Sequence, residues 1–377
     1  MKRLIFKRIA GSLALLFGCI VFNSNPLDAA TTFSEDLFQY TVLSEEEATV
    51  ELSKYNYKDR QDDNTDVVVP EQVMFEGKAY TVVQIGEWSF YYSDVTTVHL
   101  PETITSLENH AFSLCGELYS INLPTGLETI DYDAFSACIK LREMVLPSSV
   151  KYIGPYAFAW CYSLTSFHIP SSVEYLTSTT FAHNYNIVSF TVDDDNPYYS
   201  AEGPILYNKD QTTLIVYPSA AGIIEVKDGV KEISDFAFGW CDLRILTIPP
   251  SVTKLGTVCF ACYDIERINC LPVTPPDLYS RWWITLDEGL TYTYCKVYVP
   301  AESLEAYKSA PVWSGHADEL FPLEDTGIDS TLSQPESEDI RIYTLDGKEV
   351  QGSLKTKDLK SLDKGLYIVN GKKIMIQ

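Results

Sequence analysis

A chain of 377 residues that is 46% hydrophobic, 13% aromatic and 21% charged has the composition of a folded protein, with length for two or three domains or one capped repeat array. Its 28 basic and 52 acidic residues leave a formal charge of −24, which repels phosphate backbones and acidic lipid surfaces. Composition therefore excludes disorder throughout and argues against nucleic acid as a partner.

In chain order, Lys2, Arg3, Lys7 and Arg8 lead into an apolar stretch at 9–22 that is short for a membrane span. Residues 1–29 read as a signal peptide, with cleavage expected in the small-residue stretch Leu27-Asp28-Ala29-Ala30. The mature chain is expected to be exported, to the cell surface or the extracellular space, with the periplasm as an alternative and no transmembrane span. Cys19 raises the alternative of a lipoprotein. Bulky Phe17 before it and the apolar Ile20-Val21-Phe22 after it disfavour that reading.

Residues 31–82 carry strand-like runs such as Val67-Val68-Val69-Pro70 without repeating, as an N-terminal cap would. A 23-residue period then takes over: LENHAFSLCGELYSINLPTGLET from 107, IDYDAFSACIKLREMVLPSSVKY from 130 and IGPYAFAWCYSLTSFHIPSSVEY from 153. Phe112, Phe135, Phe158 and Phe181 keep that spacing. A partial copy with Ile85, Phe90, Val98, Leu100 and Pro101 precedes them, and later copies centre on Phe238 and Phe260. Such a period predicts a solenoid over 83–270, because no single unit can bury its own apolar face. In each unit a short stretch alternates, so that Ile121 and Leu123 point inward while Ser120 and Asn122 point outward. Proline ends the strand, having no amide to continue the ladder. The segment around Phe112 is the expected convex turn or short helix, its ring plugging the interior, and Gly154 and Gly256 fit tight bends.

These residues resemble the BspA-like leucine-rich repeat family, whose pattern runs roughly Ile-Gly-x-x-Ala-Phe-x-x-Cys-x-x-Leu-x-x-hydrophobic-x-hydrophobic-Pro. The resemblance implies a leucine-rich repeat solenoid with short parallel strands on the concave side and turns or short helices on the convex side. It also covers an enlarged repeat at 193–233, with a hairpin turning near 208–212, after which Ile224, Val226, Val230 and Ile233 recover the register of Ile121, Leu123, Leu127 and Ile130. Residues 271–325 look like the family's C-terminal cap: a link with Pro272, Pro275 and Pro276, a last strand at 296–299 and a helix around 303–309. For function the resemblance implies adhesion at a bacterial surface, host extracellular-matrix proteins included.

Between 318 and 339 there are eight acidic residues and no basic ones, so 326–339 reads as a solvated acidic linker. Residues 340–377 reverse the sign, with eight basic against four acidic residues. Two hairpin turns, Asp346-Gly347 and Asn370-Gly371, mark a small β tail. Its segments IRIYTLDGKEV and KGLYIVNGKKIMIQ resemble the C-terminal sorting domain of the type IX secretion system. A simple β appendage is the alternative.

Eight cysteines lie beyond the signal, and Cys259-x-x-Cys262 with Cys270 and Cys295 imitates a zinc-site spacing. The repeat register gives another account. Cys115, Cys138 and Cys161 share one position, which Asn184 and Ser93 fill in neighbouring copies, so a small polar group that bonds loop backbone is expected there. Cys259 falls at the Ala111 position, Cys262 at the variable Leu114 position and Cys270 at the inward Leu123 position. Packed free thiols are expected, with no metal and no cofactor. The chain holds no GxSxG, HExxH, Walker loop or dinucleotide fingerprint, so no enzyme is expected. Asp193, Asp194 and Asp195 lack the spacing of a calcium loop and read as a solvated turn.

What remains is a surface. The outward strand positions Thr97, His99, Ser120, Asn122, Glu143, Ser166, His168, Thr191, Thr247 and Asn269 form a polar ladder and are the candidate ligand-binding residues. His99 and His168 stand three rungs apart, about 15 Å at strand spacing, too far to share one small ligand. A plain solvated sheet face is the competing reading. The expected partner is a protein, such as host matrix or mucin. The alternative is a glycan-binding accessory protein of the cell envelope, favoured by 25 Tyr and 6 Trp, among them Trp282 and Trp283.

Overall fold

The computed structural model describes residues 30–60, 65–260, 262, 265–278 and 295–323, together with the backbone of four strands between 340 and 376. The expected signal peptide with Cys19, the acidic linker and the pair Trp282 and Trp283 lie outside the described residues. Residues 1–322 and 323–377 form two separate units.

Each rung of the first unit has three sides. The first is the expected alternating strand: Thr97–His99, Ser120–Ile121, Ser166–Ile169, Ser189–Val192, Ala221–Glu225, Asp242–Ile248, Arg267–Cys270 and Lys296–Pro300. Neighbours run parallel, with Val98 opposite Ile121, Phe167 opposite Phe190, and Leu246 opposite Ile268. The rung at 141–147 interrupts this ladder, because it forms no strand. The second side is a ladder of two-residue parallel strands, Ser106–Leu107, Thr129–Ile130, Tyr152–Ile153, Glu232–Ile233, Lys254–Leu255 and Asp277–Leu278, each turning its apolar second residue into the core. Sequence reading used Ile130 as a register position but saw no strand there. The third side is a run of tight turns, as expected, with a short 3-10 segment at Ser178–Phe181.

Phenylalanines seal the interior. Phe90, Phe112, Phe135 and Phe158 stack face to face with ring centroids 4.8, 5.3 and 5.5 Å apart, and Phe181 follows at 6.2 Å. All five are buried, so each rung supplies one plate of a continuous aromatic column. The tight bends take the expected glycines: a Cβ on Gly154 would stand 2.6 Å from the Asp131 carbonyl carbon, and one on Gly256 would stand 2.3 Å from the Asp235 amide nitrogen.

The enlarged repeat is an antiparallel meander of Tyr199–Glu202, Ile205–Asn208 and Thr213–Val216, whose last strand rejoins the two-residue ladder opposite Glu232–Ile233. The turn between the latter two strands sits where sequence placed it. Here the buried core divides into two clusters, one reaching Val216 and the other running from Tyr207 to Leu320.

Both ends are closed by extra strands. Thr32–Glu35, Phe38–Ser44 and Thr49–Tyr55 form an antiparallel sheet that joins Lys78–Ile85 in parallel, extending the second side. Asp66–Val68 extends the first, with Val68 opposite His99. At the other end, helix Leu304–Ser309 lies where expected, Tyr307 Oη donates to the Pro272 carbonyl at 2.7 Å, and Trp313 Nε1 donates to that of Pro276 at 2.8 Å. The strand at 296–299 is not the last one, because Leu320–Leu323 pairs beyond it.

The second unit is a four-stranded antiparallel sheet of Ile340–Thr344, Glu349–Leu354, Gly365–Val369 and Lys372–Ile376. The strands on either side of Asp346-Gly347 are partners, as are those on either side of Asn370-Gly371.

Candidate functional site: the strand ladder and the turn face

Alternation of the long strands aims the ladder residues outward: Phe167 and Ile169 are buried while Ser166 and His168 are exposed. Pairing brings several ladder residues side by side. Thr97 is opposite Ser120, His168 opposite Thr191 and Thr247 opposite Asn269. His168 Nδ1 lies 2.9 Å from Thr191 Oγ1, and its Nε2 lies 3.2 Å from an Asp193 carboxylate oxygen. Asn269 Nδ2 donates to Thr247 Oγ1 at 3.2 Å, and its Oδ1 accepts from Arg267 Nε at 2.7 Å. That guanidinium sits 3.9 Å from the Tyr298 ring centroid.

Two ladder residues stand apart from the rest. Asn122 clamps the preceding rung, its Oδ1 accepting from the Leu100 amide at 2.8 Å and its Nδ2 donating to the Leu100 carbonyl at 2.9 Å. It therefore acts on the fold where the strand pairing ends. Glu143 is exposed in the rung that forms no strand, next to Val145, which is 81% exposed. The acidic turn is tied into the protein: Asp193 accepts from the Ser171 amide, and buried Asn196 bonds the carbonyls of Pro170 and Val173.

The eight described cysteines are free thiols. Cys115, Cys138 and Cys161 donate to the carbonyls of Phe90, Phe112 and Phe135 at 3.0 to 3.2 Å, and Asn184 Nδ2 does the same to Phe158 at 2.6 Å. This is the backbone-bonding column that the register implied. Cys262 corrects one assignment: it does not fill a variable position but donates to the Phe238 carbonyl at 3.1 Å, as Cys241 does to that of Tyr217. Cys241 follows Phe238 by three residues but Cys262 follows Phe260 by only two, so alignment on the phenylalanine misplaces it by one. Burial pushes the Cys115 thiol up to about 11 and those of Cys161, Cys241 and Cys270 up to about 12, which makes poor nucleophiles of them. Among the described residues, no three His, Cys, Asp or Glu side chains come together as a metal site. Nor is any helix among them long and apolar enough to cross a membrane.

The turn face carries what sequence reading missed. Two columns of residues there have positive φ: Trp88, His110, Asp133, Tyr156, Phe236 and Val258 in one, and Tyr92, Leu114, Ala137, Trp160, His183 and Trp240 in the other. Turn amides also bond from rung to rung, for example His110 to the Tyr132 carbonyl and Phe112 to that of Ala134. Aromatic rings stack along these columns: Trp88 on His110 at 3.7 Å, Trp160 on His183 at 4.6 Å and His183 on Trp240 at 4.4 Å. Burial in that sandwich lowers the His183 imidazole from 6.5 to about 4. Trp160 and Trp240 hold the same repeat position, with the imidazole between them.

Six copies of the BspA type leucine rich repeat region match residues 83–201 and 219–274. No curated protein is significantly similar in sequence. Among solved structures, the pneumococcal vaccine antigen PcpA superposes with a TM-score of 0.52 at 17% identity, covering 78% of this chain and 98% of its own. A leucine-rich repeat protein from Eubacterium ventriosum gives 0.51 at 21% identity over 72% of this chain and 78% of its own. One from Bacteroides ovatus gives 0.47 at 25% identity over 71% and 70%.

Proposed function

Because the repeat region of this chain belongs to the BspA-type leucine-rich repeats, we propose that the protein is an exported, non-catalytic scaffold of the bacterial cell surface that holds a protein ligand along its strand ladder. The observation that carries this reading is the ladder itself. Parallel pairing presents columns of side chains, one residue of each per rung, over an extended face. Its centre offers an apolar anchor, Val145, between the polar rungs of Asn122 and His168, the pattern of an interface core with a polar rim.

Binding of the mature chain to immobilised matrix glycoproteins and mucins tests this. Replacing His99, Glu143, Val145 and His168 together is expected to abolish capture while leaving the melting temperature in place. Capture that survives the quadruple variant would remove the ladder as the binding face.

The tail is proposed to serve delivery. Fewer than 40 residues rarely make an independently stable core, so its sheet is suited to docking on a secretion component. Truncation after Asp339 is expected to change where the protein ends up in its native cell and to leave the solenoid's melting temperature nearly unchanged. Unchanged delivery would remove the sorting role.

A further inference from the structure

The turn face holds a groove of about 450 Å³, lined by Trp88, Tyr91, His110, Ser113, Leu114, Asp133, Ser136, Ala137 and Trp160. Its cause is local. In the two positive-φ columns the flanking rungs carry bulk, His110 with Leu114 on one side and Tyr156 with Trp160 on the other, whereas the rung between them carries Asp133 and Ala137. Two small side chains in one rung open a slot that the other aromatic rungs close.

We propose that this groove is a binding site for a neutral glycan, separate from the strand ladder. Its walls are aromatic: Trp88 is 45% exposed with one face on His110, and Tyr91 meets its edge at 4.7 Å. Aromatic faces take the CH-rich face of a pyranose ring, which is apolar on that side and carries hydroxyls around its rim. The floor supplies what those hydroxyls need. Asp133 is an acceptor carboxylate at low exposure, 3.8 Å from His110 Nδ1, and Ser113 and Ser136 line the slot beside it. A small number of convergent polar groups on an apolar lining is how compact organic ligands are oriented.

The chemistry selects against the other occupants. No Lys or Arg lines the groove, and the chain carries −24 charges, so sulfated or sialylated glycans are repelled. A proline-rich peptide brings carbonyl acceptors and few donors, which leaves the Asp133 carboxylate without a match, and the Trp88 indole N–H is already given to Glu87 Oε1 at 2.9 Å. A carboxylate floor suits a ligand that donates, and sugar hydroxyls donate.

The test titrates the mature chain, by calorimetry and tryptophan fluorescence, with short gluco-, manno-, galacto- and xylo-oligosaccharides, a heparin fragment, a sialylated oligosaccharide and a proline-rich peptide. At least one neutral oligosaccharide is expected to bind. Ala137→Trp should weaken it at least about tenfold by filling the slot. The fold accommodates that change, because Trp160 and Trp240 hold the same column at φ 56 and 62, against 58 for Ala137. Asp133→Asn should cost a similar factor while keeping shape and φ, and it decides the matter alone if Ala137→Trp fails to fold. The proposal is overturned if no neutral oligosaccharide binds, if binding survives Asp133→Asn in a folded chain, or if only the heparin fragment, the sialylated sugar or the peptide is held. Self-association that Ala137→Trp abolishes, without saccharide binding, would assign the groove to a second copy of the chain and overturn it as well.

Discussion

The strand face and the turn face repeat with the same period but use it in opposite ways. On the strand face, pairing commits the backbone between rungs, and the outward side chains are mostly polar groups that often bond one another, as His168 does with Thr191 and Asn269 with Thr247, with Val145 the apolar exception. On the turn face the backbone bends through positive φ twice in most rungs, and large rings lean along the axis from Trp88 to Trp240. A solenoid makes each side chain a column, so a repeated polar residue gives a broad even surface. One exception in a column of large residues gives a pocket. The proposed protein-binding face and the proposed glycan groove are these two outcomes.

The largest expected effect tests what the faces share. Phe135 is fully buried between Phe112 and Phe158, so Phe135→Ala should cost about 3–5 kcal/mol in denaturant unfolding and weaken both faces together. A loss under about 1 kcal/mol would mean that the aromatic column is not their common support.

Next comes a pH effect confined to the turn face. Since burial lowers the His183 imidazole from 6.5 to about 4, the unfolded chain takes up that proton first. The stability from neutral His183 is complete above pH 6.5 and is lost as pH falls toward 4. His183→Gln should flatten that slope in thermal melts, and the fluorescence of Trp160 and Trp240 should follow it. An unchanged slope would contradict the sandwich.

Cys138→Ser should shift stability by no more than about 1 kcal/mol, because its column accepts Ser93, Asn184 and cysteine alike. The same reasoning expects equal melting with and without reductant, and the six buried thiols should meet a disulfide reagent only after denaturation, whereas the partly exposed Cys262 and Cys295 can react in the native chain. Thr191→Ala, on the exposed strand face, should change stability by less than about 0.5 kcal/mol.

The strand face was legible because alternation over three or four residues, stopped by proline, is a strong local signal at fixed period: His99, Ser166 and His168 are exposed as read, and Ile121 and Leu123 pack against the core, though only partly buried. The two-residue ladder at Leu107, Ile130 and Ile153 was not, since a strand that short has no period to read. The turn face was hidden by its chemistry. Positive φ is usually signalled by Gly, Asn or Asp, yet here Trp, Tyr, His and Phe adopt it, held by rung-to-rung hydrogen bonds that no single repeat reveals. The clamp of Asn122 on Leu100 was hidden for a related reason, because it depends on where the neighbouring strand stops.

The most direct test of the central claim compares two variants of the mature chain on the same purified matrix glycoproteins and mucins. One carries the four strand-face replacements at His99, Glu143, Val145 and His168, and the other carries Ala137→Trp on the turn face. Loss of protein capture in the first with full capture in the second is the result expected of a scaffold that grips its protein ligand by the strand ladder. Full capture in the first with loss in the second would contradict it.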